Sequence, residues 1–523
     1  MLSRFWEFHG GVRLNRHKEL SSEQPLAVAP IPKQLIYPLQ QRGGLNSKAL
    51  VAVGDQVLKG QIIAGDDHPL SVPTHAASSG VVTALEYRPV PHPSGLDGLC
   101  LVIDTDGLDR AVRTKSVKDF NHSKPDTLRR RIREAGVVGL GGAAFPTATK
   151  MNTGNRTIDL LVLNGAECEP YITCDDCLLR TTPDSVLQGA AILMRILGVE
   201  RCIIAVEEDM PEAAQALEKA KLGGRPPSPP APSPRFALPD GEGSKGVADA
   251  TTYSNIEILK VPSKYPTGGE KQLIQVLTGR EVPVRGIPAD VGVVCQNVGT
   301  AAAVYAAVVE GAPLTSRIVT VTGPGVARPQ NVVARIGTPI AELVAYCGGY
   351  TERAQRLIMG GPMMGLALPS DELPTIKSTN CILVADSDAV GGEKQALPCI
   401  RCGACSEACP VNLIPQQLYW HSRSDQLKKA QAYNLFDCIE CGCCDYVCPS
   451  HIPLVQYFRA AKGRILDKQR EQQKADHARL RFEARQARKE REKREKEEAA
   501  RRKKEALAKA ATDESPGRPP PSP

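Results

Sequence analysis

The sequence predicts a multidomain α/β protein of three or four domains, which its 523 residues are enough to form. Three observations support this. Short runs of alternating apolar and polar residues fill the first 115 positions, buried strands and helices alternate in the middle of the chain, and a paired cysteine repeat precedes a charged tail. We therefore expect a β-rich domain, an α/β domain, a small strand-rich domain, an α-helical cysteine-bearing domain and a helical tail.

The positive charge of the chain is concentrated near its C-terminus. The formal net charge is +7, and residues 464–511 hold 18 Lys and Arg against 10 Asp and Glu, a net of +8. The rest of the chain is therefore close to neutral, at −1. A basic surface for nucleic acid is not predicted on the body of the protein, and we expect no nucleic-acid partner.

The sequence indicates neither a secretory leader nor a membrane span. The opening run "MLSRFWEFHGG" has no apolar segment of the signal-peptide type. The longest uncharged run, 291–309, is rich in Ala and contains Gln296 and Asn297, so a buried helix is expected there. Seventeen cysteines in clustered C-x-x-C spacings indicate metal ligation in a reducing compartment rather than disulfides.

Residues 1–115 are expected to form short strands. Two runs, "ALVAVGDQVLKGQIIAG" and "LSVPTHAASSGVVTALEY", alternate apolar and polar residues around Gly-Asp and Ser-Gly turns. This pattern resembles the β barrel-sandwich fold of biotinyl and lipoyl carriers. Such carriers present a modified lysine on the hairpin between the two halves, whereas the hairpin here, "GDDHPL", has none. The domain is therefore interpreted as structural or docking, not as a swinging-arm carrier.

Residues 116–310 are expected to form a Rossmann-like α/β domain. "PDTLRRRIREAG" has a helical pattern, and "IDLLVLNG" and "RCIIAVEE" are typical of buried strands. Between them and the following strand lies a Pro-, Ser- and Gly-rich insertion at 223–246. Because such a composition does not pack, we predict that this insertion is disordered.

Three further segments complete the prediction. Residues 312–366 are expected to form a small β-grasp domain of strands and one helix, and 390–460 carry the cysteine repeat. From 461 to 523 the chain is dominated by Arg, Lys, Glu, Gln and Ala, which favours a helix supported by ion pairs four residues apart. No sustained apolar seam is present in this tail, so a coiled coil is not predicted.

The cysteine repeat consists of two runs that match C-x₂-C-x₂-C-x₃-C-P, a pattern typical of ferredoxins with two [4Fe–4S] clusters. The first run contains Cys399, Cys402, Cys405 and Cys409. The second run contains Cys438, Cys441, Cys444 and Cys448. A fifth cysteine of the second run, Cys443, falls outside the pattern, at the position that Ala404 occupies in the first run.

The spacing predicts crossed ligation, because a tight loop supplies three thiolates to one cluster and the last cysteine of the other run supplies the fourth. Cluster one is assigned to Cys399, Cys402, Cys405 and Cys448. Cluster two is assigned to Cys438, Cys441, Cys444 and Cys409. A zinc site is the alternative, but zinc sites use paired C-x₂-C knuckles. Two such clusters transfer single electrons and do not accept a hydride.

Three glycine or acidic motifs indicate a nucleotide or flavin site. "GLGGAAFPTATK" (139–150) satisfies G-x-G-x-x-[GA], although a simple glycine turn is the alternative. "LNGAECEP" (163–170) follows a predicted strand and places polar side chains at its carboxyl end, where ligands bind in α/β sheets. "KYPTGGEKQL" (264–273) leads into a helix whose N–H groups are suited to a phosphate.

With "QNVGTA" (296–301), these motifs resemble the NADH- and FMN-binding subunit of respiratory complex I. Together with the barrel-sandwich, β-grasp and double-cluster segments, residues 1–460 resemble the RnfC/RsxC family of Rnf-type ion-translocating electron transport complexes. The resemblance implies an oxidoreductase subunit that passes electrons between NADH and integral membrane partners through FMN and two [4Fe–4S] clusters. It also implies a ferredoxin-like carrier or cluster subunit as a partner, and a peripheral position on the cytoplasmic face of the bacterial inner membrane.

The resemblance assigns cofactor-binding residues but no catalytic one. The glycine loop contributes Gly139, Gly141, Gly142, Phe145 and Lys150. The acidic loop contributes Asn164, Glu167 and Glu169, whose carboxylates favour NADH by repelling the 2′-phosphate of NADPH. The flavin-phosphate loop contributes Tyr265, Gly268, Gly269 and Glu270, and the last motif contributes Asn297. The sequence departs from the complex I pattern at Ala166, which replaces an acid, and at Lys271, which replaces Thr.

Alternative interpretations remain at this stage. The same domain order is found in soluble flavin/iron–sulfur reductases such as cobalamin reductases, and a non-catalytic cluster-bearing docking scaffold is a third possibility. Glu167 and Glu169 alternatively form a solvated loop pair. The cysteines of "CEPYITCDDC" are interpreted as buried thiols rather than metal ligands: Cys168, Cys174 and Cys177.

Overall fold

A computed structural model describes residues 5–40, 47–68, 70–117, 119–223, 253–389, 392 and 395–513. The insertion predicted to be disordered lies outside these residues from position 224 onward. The described chain divides into two compact units. The first comprises Met1–Gln417 and Asp437–Val455, and the second comprises Leu418–Phe436 and Gln456–Pro523. The predicted 390–460 domain is thus divided, because the residues between the two cysteine runs group with the C-terminal helix.

The N-terminal domain is built from short antiparallel strands, as the alternating pattern predicted. A short helix precedes them, α1 (Glu19–Ser22). Its strands are β2 (Gln34–Pro38), β3 (Lys48–Ala49), β4 (Gln56–Val57), β5 (Ile62–Gly65), β6 (Thr74–His75), β7 (Gly80–Pro89) and β8 (Asp97–Thr105). They form one sheet in the order β2-β8-β7-β4 and a second in the order β3-β5-β6. A further short strand, β1 (Ala27–Val28), pairs instead with a strand of the β-grasp domain.

The α/β domain contains a four-stranded parallel sheet in the order β11-β10-β9-β12. Its strands are β9 (Leu160–Gly165), β10 (Cys202–Glu207), β11 (Ile256–Val261) and β12 (Val293–Asn297). The helices are α2 (Pro125–Glu134), α3 (Thr147–Lys150), α4 (Cys174–Thr181), α5 (Pro183–Leu197), α6 (Pro211–Lys221), α7 (Glu270–Thr278) and α8 (Val298–Tyr305). β10 is buried along its whole length, as expected for a parallel sheet covered on both faces.

The strand order places a topological switch point between β9 and β12. The chain runs from β9 outward through β10 to β11, and then returns to the other side of β9 as β12. Ligands of open α/β sheets bind at such a point, outside the carboxyl ends of the strands. The uncharged run 291–309 supplies β12 as well as α8, so it is only partly the buried helix that we predicted. No described helix is both long enough and apolar enough to cross a membrane.

The β-grasp domain has a six-stranded sheet in the order β1-β14-β13-β17-β15-β16. Its own elements are β13 (Ser316–Thr322), β14 (Gln330–Arg335), α9 (Ile340–Tyr346), β15 (Arg356–Met359), β16 (Leu366–Leu368) and β17 (Cys381–Ala385). The sheet therefore extends past the predicted boundary at 366. β17 is buried along its whole length and lies between β13 and β15, so the sheet would be split without it.

The cysteine runs and the tail are helical. Their helices are α10 (Ala404–Glu407), α11 (Pro415–Arg423), α12 (Leu427–Ala432), α13 (Cys443–Tyr446) and α14 (Leu454–Asp513). α10 and α13 each follow a glycine with positive φ, Gly403 at 85° and Gly442 at 80°, a conformation that favours glycine. The equivalent glycines show that the two runs repeat in structure as well as in spacing. α14 begins before the predicted start at 461, and Ile465 is still buried.

Candidate functional site

Two asparagines lie side by side at the switch point. Asn164 is the second-last residue of β9, Asn297 ends β12, and the two are paired in register. Asn297 caps α8 by accepting the N–H of Gly299 at 2.8 Å. Asn164 donates to the carbonyl of Gly268 at 2.8 Å, which links the end of the sheet to the turn before α7. The structure thus brings three separately predicted motifs together.

The glycine loop lies beside Asn297. Gly139 donates its N–H to the carbonyl of Phe145 at 2.8 Å, and Ala144 donates to Gly139 at 3.1 Å, so the loop closes on itself. A Cβ on Gly141 would stand 3.4 Å from the Cβ of Asn297. A Cβ on Gly142 would meet nothing within 4 Å. The main chain around Gly142 is therefore open to a ligand, whereas Gly141 packs on the end of the sheet.

This loop differs from a dinucleotide-binding fingerprint. It follows helix α2 rather than a strand, and it leads into α3, which has only four residues. The open backbone and the exposed Phe145 ring, 40% accessible, are nevertheless features that suit a planar cofactor. Lys150, the last residue of α3, forms an ion pair with Glu270, the first residue of α7. This pair connects the glycine loop to the predicted phosphate-binding turn.

The turn before α7 requires glycine at position 268 and is closely packed at Gly269. A Cβ on Gly268 would stand 2.2 Å from the carbonyl oxygen of Ala166, and a Cβ on Gly269 would stand 2.5 Å from Gln272 Oε1. Gly268 also donates its N–H to the sulfur of Cys168 at 3.3 Å. The first N–H groups of a helix have no acceptor within the helix and carry partial positive charge. The start of α7 is therefore suited to an anionic group.

Glu167 is buried and already has hydrogen-bond partners. Its carboxylate accepts the N–H groups of Asp175 at 3.0 Å and Asp176 at 3.4 Å, and so caps α4. Burial and the neighbouring Asp175 carboxylate raise the pKa of Glu167 to about 7. Lys18 donates to the main-chain carbonyl of Glu167 at 2.5 Å. The alternative of a solvated loop pair is therefore wrong for Glu167.

Glu169 connects the acidic loop to the β-grasp domain. Its Oε1 accepts the N–H of Met364 at 2.7 Å, and burial raises the pKa of its carboxyl to about 7. Its Oε2 is buried and has no hydrogen-bond partner among the described residues. An unsatisfied buried carboxylate oxygen costs free energy, so this atom is a candidate for contact with a ligand.

Two residues that the sequence did not single out support the site. Asp175 accepts the side-chain N–H of Asn297 at 2.6 Å, and burial raises its pKa to about 6. Arg317, from β13, is buried and donates to the carbonyl of Leu140 in the glycine loop at 3.0 Å. No spacing rule identifies these residues, because their partners are more than 100 positions away.

The predicted thiols near the acidic loop are buried, as expected: Cys168, Cys174 and Cys177. Ligand atoms of Glu167, Cys174 and Asp175 lie within 4.8 Å of one another. Because the carboxylate of Glu167 already accepts from α4 and from the Cys174 thiol, these atoms have a structural role.

Tyr265 faces the cysteine runs rather than the glycine loop. Its hydroxyl donates to the carbonyl of Cys441 at 2.7 Å. Its main chain pairs with Val12 in both directions, at 2.8 and 3.0 Å. Only 3% of the surface of Tyr265 is accessible, so its side chain is buried in these contacts. Tyr265 thus connects the predicted flavin-phosphate loop to the second cysteine run, and its assignment to cofactor binding stays a prediction.

The thiol neighbours of three repeat cysteines are those that the predicted crossed ligation requires. Burial, and then the thiols of the neighbouring cysteines, raise the pKa of Cys405; these neighbours are Cys402, Cys399 and Cys448. The pKa of Cys444 is likewise raised by burial and by neighbours that include Cys438 and Cys441. Cys409 has Cys441 as its thiol neighbour. The two sets of four thiols, one for each [4Fe–4S] cluster, stay a prediction from the spacing.

Cys443 lies among the thiols of the second group. It is completely buried in an apolar cluster that also contains Cys168 and Cys441, and its neighbouring thiols are Cys441, Cys444 and Cys409. Its assignment as the cysteine outside the ligand set therefore rests on the sequence spacing. The cluster joins the second cysteine run to the acidic loop.

Comparison with protein families assigns four segments of the chain. An RnfC barrel sandwich hybrid domain matches residues 6–108, and a Nuo51 FMN-binding domain matches residues 132–306. An SLBB domain matches residues 318–367, and a 4Fe-4S dicluster domain matches residues 398–452. The predicted fold class is thereby confirmed, and so are the predicted FMN and [4Fe–4S] cofactors.

Curated relatives match nearly the whole chain. The C subunit of the ion-translocating oxidoreductase complex of Pseudomonas aeruginosa is 47% identical over 488 residues, which cover 93% of this chain and 59% of that protein. The protein of the same name from Haemophilus influenzae (strain PittEE) is 42% identical over 496 residues, with 94% and 72% covered. The chain thus spans about three fifths of the length of the first relatives that it matches. Among solved structures, an NAD⁺-reducing [NiFe]-hydrogenase in the H₂-reduced state aligns with a TM-score of 0.43 at 20% identity, covering 66% of this chain and 63% of that one.

Proposed function

The chain belongs to the RnfC family, the C subunits of ion-translocating oxidoreductase complexes, and we propose that it is the component through which such a complex exchanges electrons with NADH. One observation carries the proposal. The glycine loop, the paired asparagines and the start of α7 meet at the switch point of the sheet, in the same compact unit as both groups of four thiols.

The residues at the switch point would hold FMN. The open main chain around Gly142 and the exposed ring of Phe145 are suited to the flavin ring, with Gly139 and Gly141 shaping the loop. The first turn of α7 and Lys150 are suited to the phosphate, because both supply positive charge. Asn164 and Asn297 fix the spacing between the glycine loop and this turn. FMN, when bound, supplies the conversion between a hydride and single electrons.

The acidic loop favours NADH over NADPH. Glu167 and Asp175 already accept hydrogen bonds from α4 and from Asn297, so the preference depends on Glu169, whose pKa burial raises to about 7. A ribose hydroxyl would hydrogen-bond to this carboxyl group, whereas a 2′-phosphate would be repelled by its ionised form. Glu169 Oε2 is the acceptor that is free of a partner among the described residues.

The proposed partners are integral membrane subunits of the same complex and a ferredoxin-like carrier or cluster subunit. The names of the relatives support membership of a multi-subunit complex. We further propose a peripheral position on the cytoplasmic face of the bacterial inner membrane, where both NADH and reduced ferredoxin are available. In this position the chain connects the nicotinamide pool to the membrane subunits and does not itself move the ion.

The proposal is tested by measuring flavin, iron and NADH oxidation in the full chain, purified anaerobically. We expect one FMN and about eight irons per chain, and reduction of ferricyanide that is faster with NADH than with NADPH. Absence of flavin would contradict the proposed FMN site. Bound flavin with equal rates for NADH and NADPH would contradict the proposed preference for NADH. In the variant Gly142→Val, a side chain is added to the open face of the glycine loop at a φ of 102°, which also strains the main chain, and we expect loss of flavin with the iron retained.

A further inference from the structure

The carbonyl groups at the end of α2 are bound by two other domains. α2 ends at Glu134, and the glycine loop follows from Gly139. His75 of the N-terminal domain hydrogen-bonds to the main chain of Glu134, and Leu314 of the β-grasp domain donates its N–H to the carbonyl of Ala135 at 2.8 Å. The last carbonyls of a helix have no partner within the helix and carry partial negative charge. The approach to the glycine loop is therefore fixed from outside the α/β domain.

Lys377 is a buried cation at the same place. It lies between β16 and β17 of the β-grasp domain, and its Nζ donates to the carbonyls of Gly136 and Pro73, both at 2.8 Å. Only 2% of Lys377 is accessible, and burial lowers the pKa of its amine to about 7. A Cβ on Gly136 would stand 3.0 Å from this Nζ and 2.5 Å from the Pro73 carbonyl oxygen. One closely packed side chain thus joins the β-grasp, N-terminal and α/β domains.

Arg317 holds the glycine loop at Leu140, a short way along the chain from Gly136. Its guanidinium donates to the carbonyl of Leu140 at 3.0 Å and to the carbonyl of Lys377 at 2.6 Å. The N–H of Leu140 is bound as well, by Oγ1 of Thr300 in α8 at 2.9 Å. Leu140 is therefore fixed at both its donor and its acceptor. Because Arg317 also binds Lys377, the two cations form one connected network.

The charge of Arg317 is balanced by residues beside the switch point. Burial lowers the pKa of Arg317, and the neighbouring Cys174, Asp175 and Glu167 oppose this shift. A buried cation is costly unless groups of opposite charge surround it, so the acidic groups stabilise the guanidinium in its place. Asp175 in turn accepts the side-chain N–H of Asn297 at 2.6 Å. The network therefore reaches from the β-grasp domain to the end of β12.

We propose that Arg317 and Lys377 are positioning residues for the flavin, through which the β-grasp domain holds the glycine loop in the open conformation that it has at Gly142. This inference rests on the proposed function, since it takes FMN as the ligand of that loop. Both side chains act on main-chain carbonyls that precede Gly142. A loop that is fixed before its ligand arrives loses less conformational entropy on binding. Releasing these carbonyls should therefore weaken FMN binding without removing a group that contacts FMN.

The first test measures the loop without flavin, by hydrogen–deuterium exchange in the full chain, purified anaerobically and freed of FMN. The N–H groups of Gly139, Leu140 and Ala144 are hydrogen-bonded and should exchange slowly. In Arg317→Met we expect them to exchange about tenfold faster, which corresponds to about 1.4 kcal/mol, while the amides of β10 stay protected. Unchanged exchange across 139–144 would overturn the proposal.

A second variant covers the case in which Arg317→Met does not fold. Arg317→Lys keeps the buried charge but loses the planar fork that binds the carbonyls of Leu140 and Lys377 together. It should show the same local increase in exchange, smaller in size, and an unchanged loop in this variant would likewise contradict the proposal.

The second test measures FMN. Its Kd should rise about tenfold in Arg317→Met and in Lys377→Met, with the iron content unchanged. Thr300→Val removes the other partner of Leu140 and should weaken binding too. If Arg317 acts through Leu140, the double variant of Arg317 and Thr300 should weaken binding by less than the product of the two single effects. Independent effects would show that Arg317 does not act through Leu140.

A spectroscopic measurement separates positioning from a general effect on stability. At saturating FMN, the visible circular dichroism of the bound flavin should differ between Arg317→Met and the wild type, because the loop beside the flavin has moved. A spectrum identical to that of the wild type would reduce Arg317 to a residue that stabilises the fold, and would overturn its positioning role.

Arg335→Met is the matched control. Arg335 lies on β14, the strand that pairs with β13, and it also joins two domains, since it binds Asp109 of the N-terminal domain at 3.0 Å. Its side chain is 16% accessible, and its hydrogen bonds among the described residues go to Asp109 and Ala29, not to the glycine loop. Loop exchange, the Kd for FMN and the flavin spectrum should keep their wild-type values. Equal effects of Arg335→Met and Arg317→Met would overturn the proposal.

The outcomes separate this inference from the proposed function. If the wild type takes up no FMN, but its glycine loop exchanges faster in Arg317→Met and not in Arg335→Met, the proposed function fails and the control of the loop by the β-grasp domain stands. If the wild type binds FMN and oxidises NADH, but Arg317→Met changes neither loop exchange nor the Kd for FMN, the positioning role is wrong and the proposed function stands.

Discussion

Reversing the charge of Glu270 should release FMN and leave the iron in place. Glu270 is the first residue of α7 and forms an ion pair with Lys150 at the end of α3. Lysine at position 270 would face Lys150 and stand next to Lys271, so three positive charges would meet where one pair now joins two loops. The glycine loop and the phosphate-binding turn would then be pushed apart.

The size of the effect follows from the exposure of the pair. The side chains of Lys150 and Glu270 are 28 and 38% accessible, so solvent screens them and the pair contributes about 1 kcal/mol at most. A like-charge contact costs a similar amount, and a cation at a helix N-terminus costs about 0.3–1 kcal/mol more. The total of about 2–3 kcal/mol corresponds to a loss of FMN affinity of roughly 30- to 150-fold. Attraction between the new lysine and the phosphate acts against this loss but does not restore the spacing of the loops.

The assay is flavin content by fluorescence after acid release, together with NADH–ferricyanide rates and total iron. Glu257→Lys is the matched control. Glu257 also forms a surface ion pair in the same domain, with Arg201, but it lies on the edge strand β11 and not in the predicted phosphate-binding turn. A second variant exchanges the two charges, Lys150→Glu with Glu270→Lys, and should recover part of the flavin. Full flavin and full NADH activity in Glu270→Lys would refute the assignment of "YPTGGEKQ" to the cofactor.

Four further outcomes are expected. Cys443→Ser should keep about eight irons, whereas Cys441→Ser should lose a cluster; equal iron loss in the two variants would contradict the ligand assignment. Cys409→Ser should alter the resonance of the cluster at 438–444, and damage confined to the cluster at 399–405 would exclude crossed ligation. Burial holds the pKa of Glu167 at about 7 in the folded protein, whereas the unfolded chain releases this proton near pH 4.5. The free energy of unfolding should therefore fall by about 3 kcal/mol as the pH rises from 4.5 past 7. Thermal unfolding of the variant Glu167→Gln should lack this part of the fall. Truncation after Lys468 should preserve NADH oxidation but loosen attachment to anionic vesicles, and loss of flavin or iron would show that the tail belongs to the packed protein.

The α/β domain was predictable because its sequence patterns are local. The strands β9 and β10 begin as continuous apolar runs, and Asn164 lies near the carboxyl end of β9. The carboxyl ends of parallel strands meet at one edge of a sheet, so a polar residue there is expected at a ligand site. The pairing of Asn164 with Asn297 was not predictable in this way, because the run 291–309 was expected to be a buried helix and not to contain the strand β12.

The errors arise where short segments join distant elements. β17 is an apolar run of five residues, and periodicity does not assign such a run to a particular sheet. β1 has two residues and owes its place to pairing with β14. Tyr265 belongs to the predicted flavin-phosphate loop and also reaches a distant element, since its hydroxyl donates to the carbonyl of Cys441. The predicted tail at 461–523 includes residues of the packed protein, since Ile465 is buried.

The second cysteine run is not a separate folding unit, because the acidic loop ties it to the flavin site. Successive residues of this loop face different parts of the protein: Glu167 caps α4, Cys168 accepts the N–H of Gly268, and Glu169 holds Met364. Cys168 also belongs to the apolar cluster that contains Cys443. Glu270 lies on the opposite side of the turn and contacts Lys150. The iron should therefore survive a change at Glu270 because that side chain faces away from the thiols, whereas a bulky residue at Cys168 should disturb flavin and iron together.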